Sequence, residues 1–173
     1  MPVAEQLILV NEQDCEVGTC EKLETHRKGL LHRAISVFVF NSKGELMLQK
    51  RAATKYHSAG LWSNTCCSHP RPGETTEMAA RRRLQEEMGF TCDVRPAGRL
   101  LYRVTFGNGL TEHEVDHMFI GEYERSPVLN PDEAEDWKWM SPTDIKRDIT
   151  AHPEAYSHWF KLSLDDIFSK KAI

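Results

Sequence analysis

The chain has 173 residues, 40% of them hydrophobic and 28% charged, with a formal charge of −4. That length suits one domain with a real core, and the balance is that of a globular protein rather than a disordered or membrane one. The charge gives no general affinity for nucleic acid, so an anionic ligand has to be held by locally clustered Lys and Arg. The longest strongly apolar run, Ala34 to Phe40, is far too short to span a bilayer, and the opening MPVAEQLILV lacks the basic region and cleavage site of a secretory signal. Five cysteines, two of them adjacent, fit a cytoplasmic protein with reduced thiols better than a disulfide framework.

Along the chain, Leu7 to Val10 is a short apolar run ending in the polar turn NEQD, and Glu16-Val17-Gly18 supplies a hairpin partner. Glu21 to His26 reads as a short helix closed by Lys28-Gly29. His32 to Phe40 is a buried strand, Asn41 to Gly44 a turn, and Glu45 to Lys50 the returning strand. Ala52 to Leu61 reads as loop. Thr75 to Met88 is the clearest helix, with Ala80, Leu84 and Met88 as an apolar stripe and Gly89 as its C-cap. Strands follow at Phe90 to Val94, Arg99 to Phe106 and, after a GNG turn, Thr111 to Tyr123. Trp137 to Met140 is a further short strand; Ser141-Pro142 caps and opens a helix, and a last helix covers Pro153 to Ser169. The sum is a single-domain α+β sandwich: a mixed sheet with helices packed on both sides.

Three stretches carry chemistry. NTCCSHP, Asn64 to Pro70, could be a metal site, a redox pair, a nucleophile or a buried strand end. The redox reading is weak, because adjacent cysteines lack the two-residue spacer of a Cys-x-x-Cys motif. In TEHEVDHMF alternation puts Glu112, Glu114 and Asp116 on one face of the strand. Two carboxylates that close repel unless they face solvent or a cation lies between them. His26, His32 and His69 are available to complete a metal site, and such a mixed set suits Zn²⁺, Mn²⁺ or Mg²⁺ without singling one out. On the Thr75 to Met88 helix, Arg82 precedes Glu86 and Arg83 precedes Glu87 by four residues, the spacing of ordinary surface pairs.

A longer spacing competes with that surface reading. Ser68, five residues, Glu74, seven residues, Arg82-Arg83-Leu84, one residue, Glu86-Glu87, one residue, Gly89-Phe90 resembles the Nudix box, a loop–helix–loop that binds metal and diphosphate. Two positions depart from it. Ser68 stands for the first glycine, and Arg83 for the glutamate before the aliphatic residue. Nudix hydrolases need several carboxylates here to hold Mg²⁺ and activate water. A cation in place of one weakens such a cluster and adds a clamp, which fits a diphosphate that is held but not cut.

Taken together, the chain resembles type I isopentenyl diphosphate isomerases. The resemblance runs from Glu21-Lys22, His26 and His32 through Phe40 to Gly44, Lys50-Arg51-Ala52, Lys55 and GLWSNTCCSHP. It continues through the altered Nudix helix, Tyr102-Arg103, EHEVDH and Ser157 to Trp159, in order from about residue 5 to 165. It implies a Nudix-like fold and reversible movement of a double bond between isopentenyl and dimethylallyl diphosphate. It implies Cys67 as the catalytic cysteine, with Glu114 as the opposing acid/base and Tyr102 beside it. His26, His32, His69, Glu112 and Glu114 are the implied metal ligands, and Glu87, with Cys67, the implied holder of a Mg²⁺ on the diphosphate. Lys22, Arg51, Lys55 and Arg83 form the implied cationic clamp, Ser68 a substrate contact and Trp159 the cover of the hydrocarbon end.

The expected division is an N-terminal extension over 1–29, a catalytic domain over 30–165 and the end of a closing helix over 166–173. The expected partner is the small diphosphate alone, with no nucleic acid or membrane, and a monomer or weak homodimer. Cys66, Cys15, Cys20 and Cys92 are expected to be buried or half-buried packing residues, and Trp62, Trp137 and Trp139 to belong to the core. Two other readings stay open: a Nudix hydrolase of a nucleoside diphosphate derivative, and a non-catalytic metal- or diphosphate-binding module.

Overall fold

The computed structural model describes residues 3–171. Its centre is β3 (His32–Phe40), nearly every residue of which is buried. Along one side β3 runs parallel to β8 (Thr111–Glu122), from His32 beside Glu114 to Phe40 beside Glu122. Along the other side it meets three strands in turn: β1 (Gln6–Val10), β6 (Cys66–Ser68) and β4 (Leu46–Arg51). The hairpin strand β2 (Glu16–Glu21) pairs with β1, and both β5 (Trp62–Ser63) and β9 (Ala134–Met140) pair with β4. β7 (Val94–Thr105) pairs with β8, completing nine strands among the described residues.

The period of two along β3 divides the core. Phe38 and Phe40 face a cluster with Leu46, Leu48, Met118 and Ile120. Helix α3 (Pro142–Ala151) and helix α4 (His158–Lys171) close this side with Ile145, Phe160, Leu164 and Ile167. Ile35, Val37 and Val39 face the opposite cluster beneath α2 (Thr76–Met88), whose Ala80, Leu84 and Met88 are fully buried, as their spacing predicts. Burying a leucine of that kind is worth about 1.5–3 kcal/mol, so the stripe sets the helix's orientation on the sheet. Helices on both faces of a mixed sheet are the expected α+β sandwich.

The structure corrects the following expectations. Phe90 to Val94 is not a separate strand; the chain crosses from α2 irregularly and enters β7 only at Val94. β7 then absorbs the whole of Val94–Thr105, with a bulge between Pro96 and Arg99, so what reads as two short strands is one bent one. The last helix begins at His158, because Pro153–Ala155 forms a separate 3₁₀ turn. Cys15 is exposed in the turn after β1, where nothing packs over it, rather than buried. Trp62, Trp137 and Trp139 are half-buried, packed against the two clusters from their edges.

Gly89 ends α2 in the left-handed region at φ 72°, and its N–H donates to the Gln85 carbonyl at 3.1 Å. A Cβ there would stand 2.4 Å from the Val128 carbonyl oxygen, which is backbone and cannot swing away. Gly89→Ala is therefore expected to destabilise the fold by at least about 1 kcal/mol, the left-handed penalty alone. Chemical denaturation checks it; an unchanged midpoint and slope would contradict the packing described.

Candidate active site

Helix α1 (Lys22–Lys28) opens on Glu21, whose carboxylate accepts from the Leu23 and Glu24 N–H groups at 2.9 and 3.0 Å. Lys22 and His26, four apart, share the face turned to the sheet. Gly29, left-handed at φ 65°, turns the chain back into β3, whose first residue is His32. The parallel register sets His32 beside Glu114, and the β7–β8 register sets Tyr102 on the other side of Glu114. β6 pairs Cys67 with Ser36, so the vicinal cysteines alternate across the sheet. Cys66 is buried in the cluster beneath α2, while Cys67 faces the opposite side with His69 following. The pair thus divides: Cys66 has the packing of a buried strand end, while Cys67 lines a pocket.

These elements enclose one pocket. Its lining includes Lys22, Arg51 and Lys55, then Cys67, Ser68, His69 and Arg83, and finally Glu112, Glu114 and Trp159. Every expected site residue is among them except Tyr102 and Glu87, which stand behind the wall, and His26 and His32, which lie deeper beneath Glu112 and Glu114.

The deep end is a ligand set. One nitrogen or oxygen from each of His26, His32, His69, Glu112 and Glu114 lies within 4.8 Å of all the others, and all five residues are buried. His26 Nδ1 sits 2.7 Å from the Lys22 carbonyl and His32 Nδ1 2.9 Å from that of Leu30. A carbonyl only accepts, so both Nδ1 atoms carry the proton and both Nε2 lone pairs point inwards. There they meet carboxylate oxygens: His26 Nε2 on Glu112 at 3.2 Å, and His32 and His69 Nε2 on Glu114 at 3.0 and 2.9 Å. One cation shared between these nitrogens and oxygens satisfies both sets of atoms at once. Glu112 Oε2 and His69 Nδ1 are moreover buried without a hydrogen-bond partner. The cluster fits a divalent metal ion.

The electrostatics are those of two carboxylates forced together. Burial works against both charges, yet the imidazoles hold Glu112 well below the usual carboxylate range and Glu114 below it too. Burial disfavours the His32 cation, but Glu114 outweighs it and raises its pKa, whereas burial drives His69 well down. Burial, then Glu114, pushes the Asp116 carboxyl well up from its usual range, and Asp116 Oδ2 accepts from Ser36 Oγ at 2.7 Å. Burial pushes the Cys67 thiol up to about 12 against the pull of Arg51, whose Nη1 lies 3.9 Å from the sulfur. The Tyr102 hydroxyl, raised by burial and by Glu114, donates a very short hydrogen bond to Glu114 Oε1.

The outer end is cationic. Arg83 bonds Glu87 at 2.8 Å and Glu133 at 3.1 Å, and Lys55 bonds Glu133 at 2.6 Å. Burial would raise the Glu133 carboxyl, but Lys55 and Arg83 bring it down to about 2. Lys22 pairs with Glu5 at 3.1 Å and lies over the Tyr56 ring. Arg82, by contrast, is structural: it bonds Glu74 at 2.8 Å and reaches the His69 carbonyl at 3.4 Å, tying the loop after His69 to α2. Trp159 donates from Nε1 to Asn64 Oδ1 at 3.1 Å, which presents the indole face to the pocket beside the Arg51 guanidinium.

Sequence reading missed His57, Tyr56, Glu133 and Asp116. The first three lie in connecting segments without period, where no local pattern locates a side chain. Asp116 did carry a signal, since alternation places it on the face of Glu112 and Glu114.

A NUDIX domain model matches residues 30–160. DR0079 from Deinococcus radiodurans superposes with a TM-score of 0.76 over 96% of this chain and 98% of its own, at 22% identity. A MutT protein from Methanosarcina mazei Go1 gives 0.66 over 82% and 95%, at 19% identity. Those two likenesses define the fold: the protein is a NUDIX-domain protein with a buried metal-ligand cluster. Isopentenyl-diphosphate Delta-isomerase 2 of Aromatoleum aromaticum is 55% identical over 98% of this chain and 89% of its own length. Its counterpart in Pectobacterium atrosepticum is 50% identical over 94% and 90%. The chain belongs to the isopentenyl-diphosphate delta-isomerase family.

Removing a ligand should weaken metal binding. His32→Ala and Glu112→Gln are each expected to lower Mn²⁺ affinity by at least about tenfold in calorimetric titration. Protons compete for the same imidazoles, and Glu114 strengthens that competition at His32. Affinity in the unaltered protein should therefore fall as pH drops through the imidazole range, about 6.5. Unaltered binding in both variants would remove the cluster from consideration as a metal site.

Proposed function

We propose that this protein interconverts isopentenyl diphosphate and dimethylallyl diphosphate, the isomerisation of isopentenyl diphosphate being the activity for which its relatives are named. The observation that carries the proposal is one pocket holding a half-buried thiol, a carboxylate of the metal-ligand cluster with a tyrosine hydroxyl on it, an indole face and a cluster of cations. We assign residues 30–165 as the catalytic domain, with 1–29 packing over it and 166–173 ending the closing helix. No described helix is long and apolar enough to cross a membrane, and we place the protein in the cytoplasm as a monomer or weak homodimer.

The reaction adds a proton to the terminal alkene carbon and removes one from the carbon two bonds away, through a tertiary carbocation. It needs two acid/base groups, a shielded pocket and nothing nucleophilic against the cation. Cys67 and Glu114 are those two groups; because the reaction is reversible, each serves as acid in one direction and base in the other. Tyr102 holds Glu114 by its short hydrogen bond and shares its proton load. The Trp159 face stabilises positive charge without attacking it. Lys22, Arg51, Lys55 and Arg83 hold the diphosphate, with Ser68 at its inner edge, so that binding energy far from the alkene fixes the reacting carbons.

His26, His32, His69, Glu112 and Glu114 would hold one divalent ion, Mn²⁺, Zn²⁺ or Mg²⁺, which supplies charge that orients Glu114 and tunes its acidity. Glu87, with the Cys67 segment, would hold a Mg²⁺ on the diphosphate. Hydrolysis is the less favoured reading. Arg83 stands where the box has a glutamate and pairs with Glu86, so the helix keeps fewer carboxylates for metal than a hydrolase needs and leaves Glu87 for a single Mg²⁺.

NMR of isopentenyl diphosphate turned over in D₂O should show the dimethylallyl isomer with deuterium incorporated, and no released phosphate. Cys67→Ala should lower kcat by at least about a hundredfold, while Cys66→Ala, on the far face of the sheet, should retain most activity. The reverse pattern would overturn the assignment of the pair. Arg83→Lys loses bidentate phosphate geometry and should raise KM; Arg83→Glu should impair isomerisation far more by repelling the substrate. Unchanged kinetics in Arg83→Glu would remove Arg83 from the clamp.

A further inference from the structure

Asn64 stands in the turn between β5 and β6, is fully buried, and has both polar atoms of its carboxamide engaged. Its Nδ2 lies 3.1 Å from the Val37 carbonyl and 2.8 Å from that of Cys66, and its Oδ1 lies 3.1 Å from Trp159 Nε1. Carbonyls only accept and an indole nitrogen only donates, so the neighbours fix which way the amide points. Oδ1 also takes the Ser63 hydroxyl proton at 2.9 Å, which leaves Ser63 Oγ to accept from Ser157 Oγ at 2.8 Å. The donors therefore run one way, from Ser157 through Ser63 to Asn64 Oδ1, where Trp159 meets them from the other side. Ser63 and Ser157 are buried as well, and none of the three lines the pocket.

This network does more than close a turn. Thr65, the next residue, already ties the turn to the sheet: its hydroxyl donates to the Met47 carbonyl at 2.6 Å and accepts from the Val39 N–H at 2.9 Å. Asn64 adds the bond to Trp159, across 95 residues of chain. The indole is anchored at its Cα by α4, and its N–H lies in the plane of the ring. A second anchor on that N–H fixes the plane, so one face stays toward the pocket with the Arg51 guanidinium 5.1 Å from the ring. The amide nitrogen holds the carbonyl just before Cys67, and Cys67 packs against the cluster that contains Trp159. One side chain thus references the indole to the strand that carries the thiol.

We propose that Asn64 is a positioning residue for Trp159: its oxygen, with Ser63 and Ser157 behind it, sets the plane of the indole, and its nitrogen ties that setting to β6. The catalytic meaning of this role rests on the isomerase reading, in which the indole covers the hydrocarbon end; the orientation of the ring does not. An indole stabilises a cation by its face and not by its edge. A ring freed to turn should therefore slow the chemical step and leave the diphosphate clamp as it was.

The test is steady-state kinetics on isopentenyl diphosphate for Asn64→Ala and Ser63→Ala, each made alone and together with Trp159→Phe, which lacks the N–H. Alone, Asn64→Ala should lower kcat about 10–100-fold, the scale of a misplaced group at a reacting centre, with KM within about threefold of the unaltered protein. Added to Trp159→Phe it should lower kcat by no more than about twofold further, because no N–H remains to be held. A merely structural residue would cost the same factor in both backgrounds; that outcome, or an unchanged kcat in Asn64→Ala, would overturn the proposal. Ser63→Ala keeps the amide and its anchors, so it carries the same cycle if Asn64→Ala folds poorly, with a smaller loss of about 3–10-fold. The indole supplies a readout without substrate. In the Zn²⁺-loaded full-length chain, the indole N–H resonance that Trp159→Phe removes should exchange with D₂O at least about tenfold faster in Asn64→Ala or Ser63→Ala. An unchanged exchange rate would overturn the proposal. Absence of isomerisation by the unaltered protein would instead overturn the isomerase reading, and the exchange rate would still decide what holds the ring.

Discussion

Glu112 and Glu114 leave the same face of β8 two residues apart, and both are almost fully buried. Two such charges in a protein interior repel each other and lose hydration together, a combination that a fold sustains only with dedicated partners. Much of the surrounding structure supplies those partners. α1 is capped and turned so that His26 arrives above Glu112; β3 starts at His32 so that its first imidazole meets Glu114; β6 ends so that His69 follows the cysteine pair. Tyr102 takes the remaining side of Glu114. The carboxylate pair is the constraint around which the N-terminal half of the chain is arranged.

The same constraint separates the two ends of the pocket. Its deep end is rich in imidazole and carboxylate, while its mouth carries Lys22, Lys55 and Arg83, each already paired with an acid. Glu133 bridges Lys55 and Arg83, so those two cations are paired within the chain, while Arg51 has no carboxylate partner among the described residues. Exchanging that internal anion for one of higher charge would favour a ligand bearing several negative oxygens over a single carboxylate. The altered Nudix helix follows the same logic. Arg83, where a box carboxylate belongs, leaves the helix with one fewer carboxylate for metal and sets a cation beside Glu86 and Glu87.

Much of this was legible in the chain itself. Alternation along TEHEVDHMF placed Glu112, Glu114 and Asp116 together, the 3.6-residue stripe on α2 found its buried face, and Gly29 and Gly89 marked helix ends. These are local patterns, and strands and helices express them wherever they pack. Phe90 to Val94 failed because a short apolar run carries no period of its own, and the bulge in β7 left no trace that separates one bent strand from two. Cys15 failed because burial is not a property of residue type.

The sequence by itself determined which residue types could do the chemistry, the faces they share on their own strand or helix, and, through resemblance across nearly the whole chain, the family. Tertiary structure alone decided which of eight histidines meet the two glutamates. It also decided that Cys66 and Cys67 part to opposite faces of the sheet, and that Glu133 enters from a loop to pair with Lys55 and Arg83. The physical reason is range: periodicity and capping act over a few residues, whereas the parallel pairing of β3 with β8 joins His32 to Glu114 across more than half the domain. Nothing local records that register; it follows from burying the apolar faces of both strands at once.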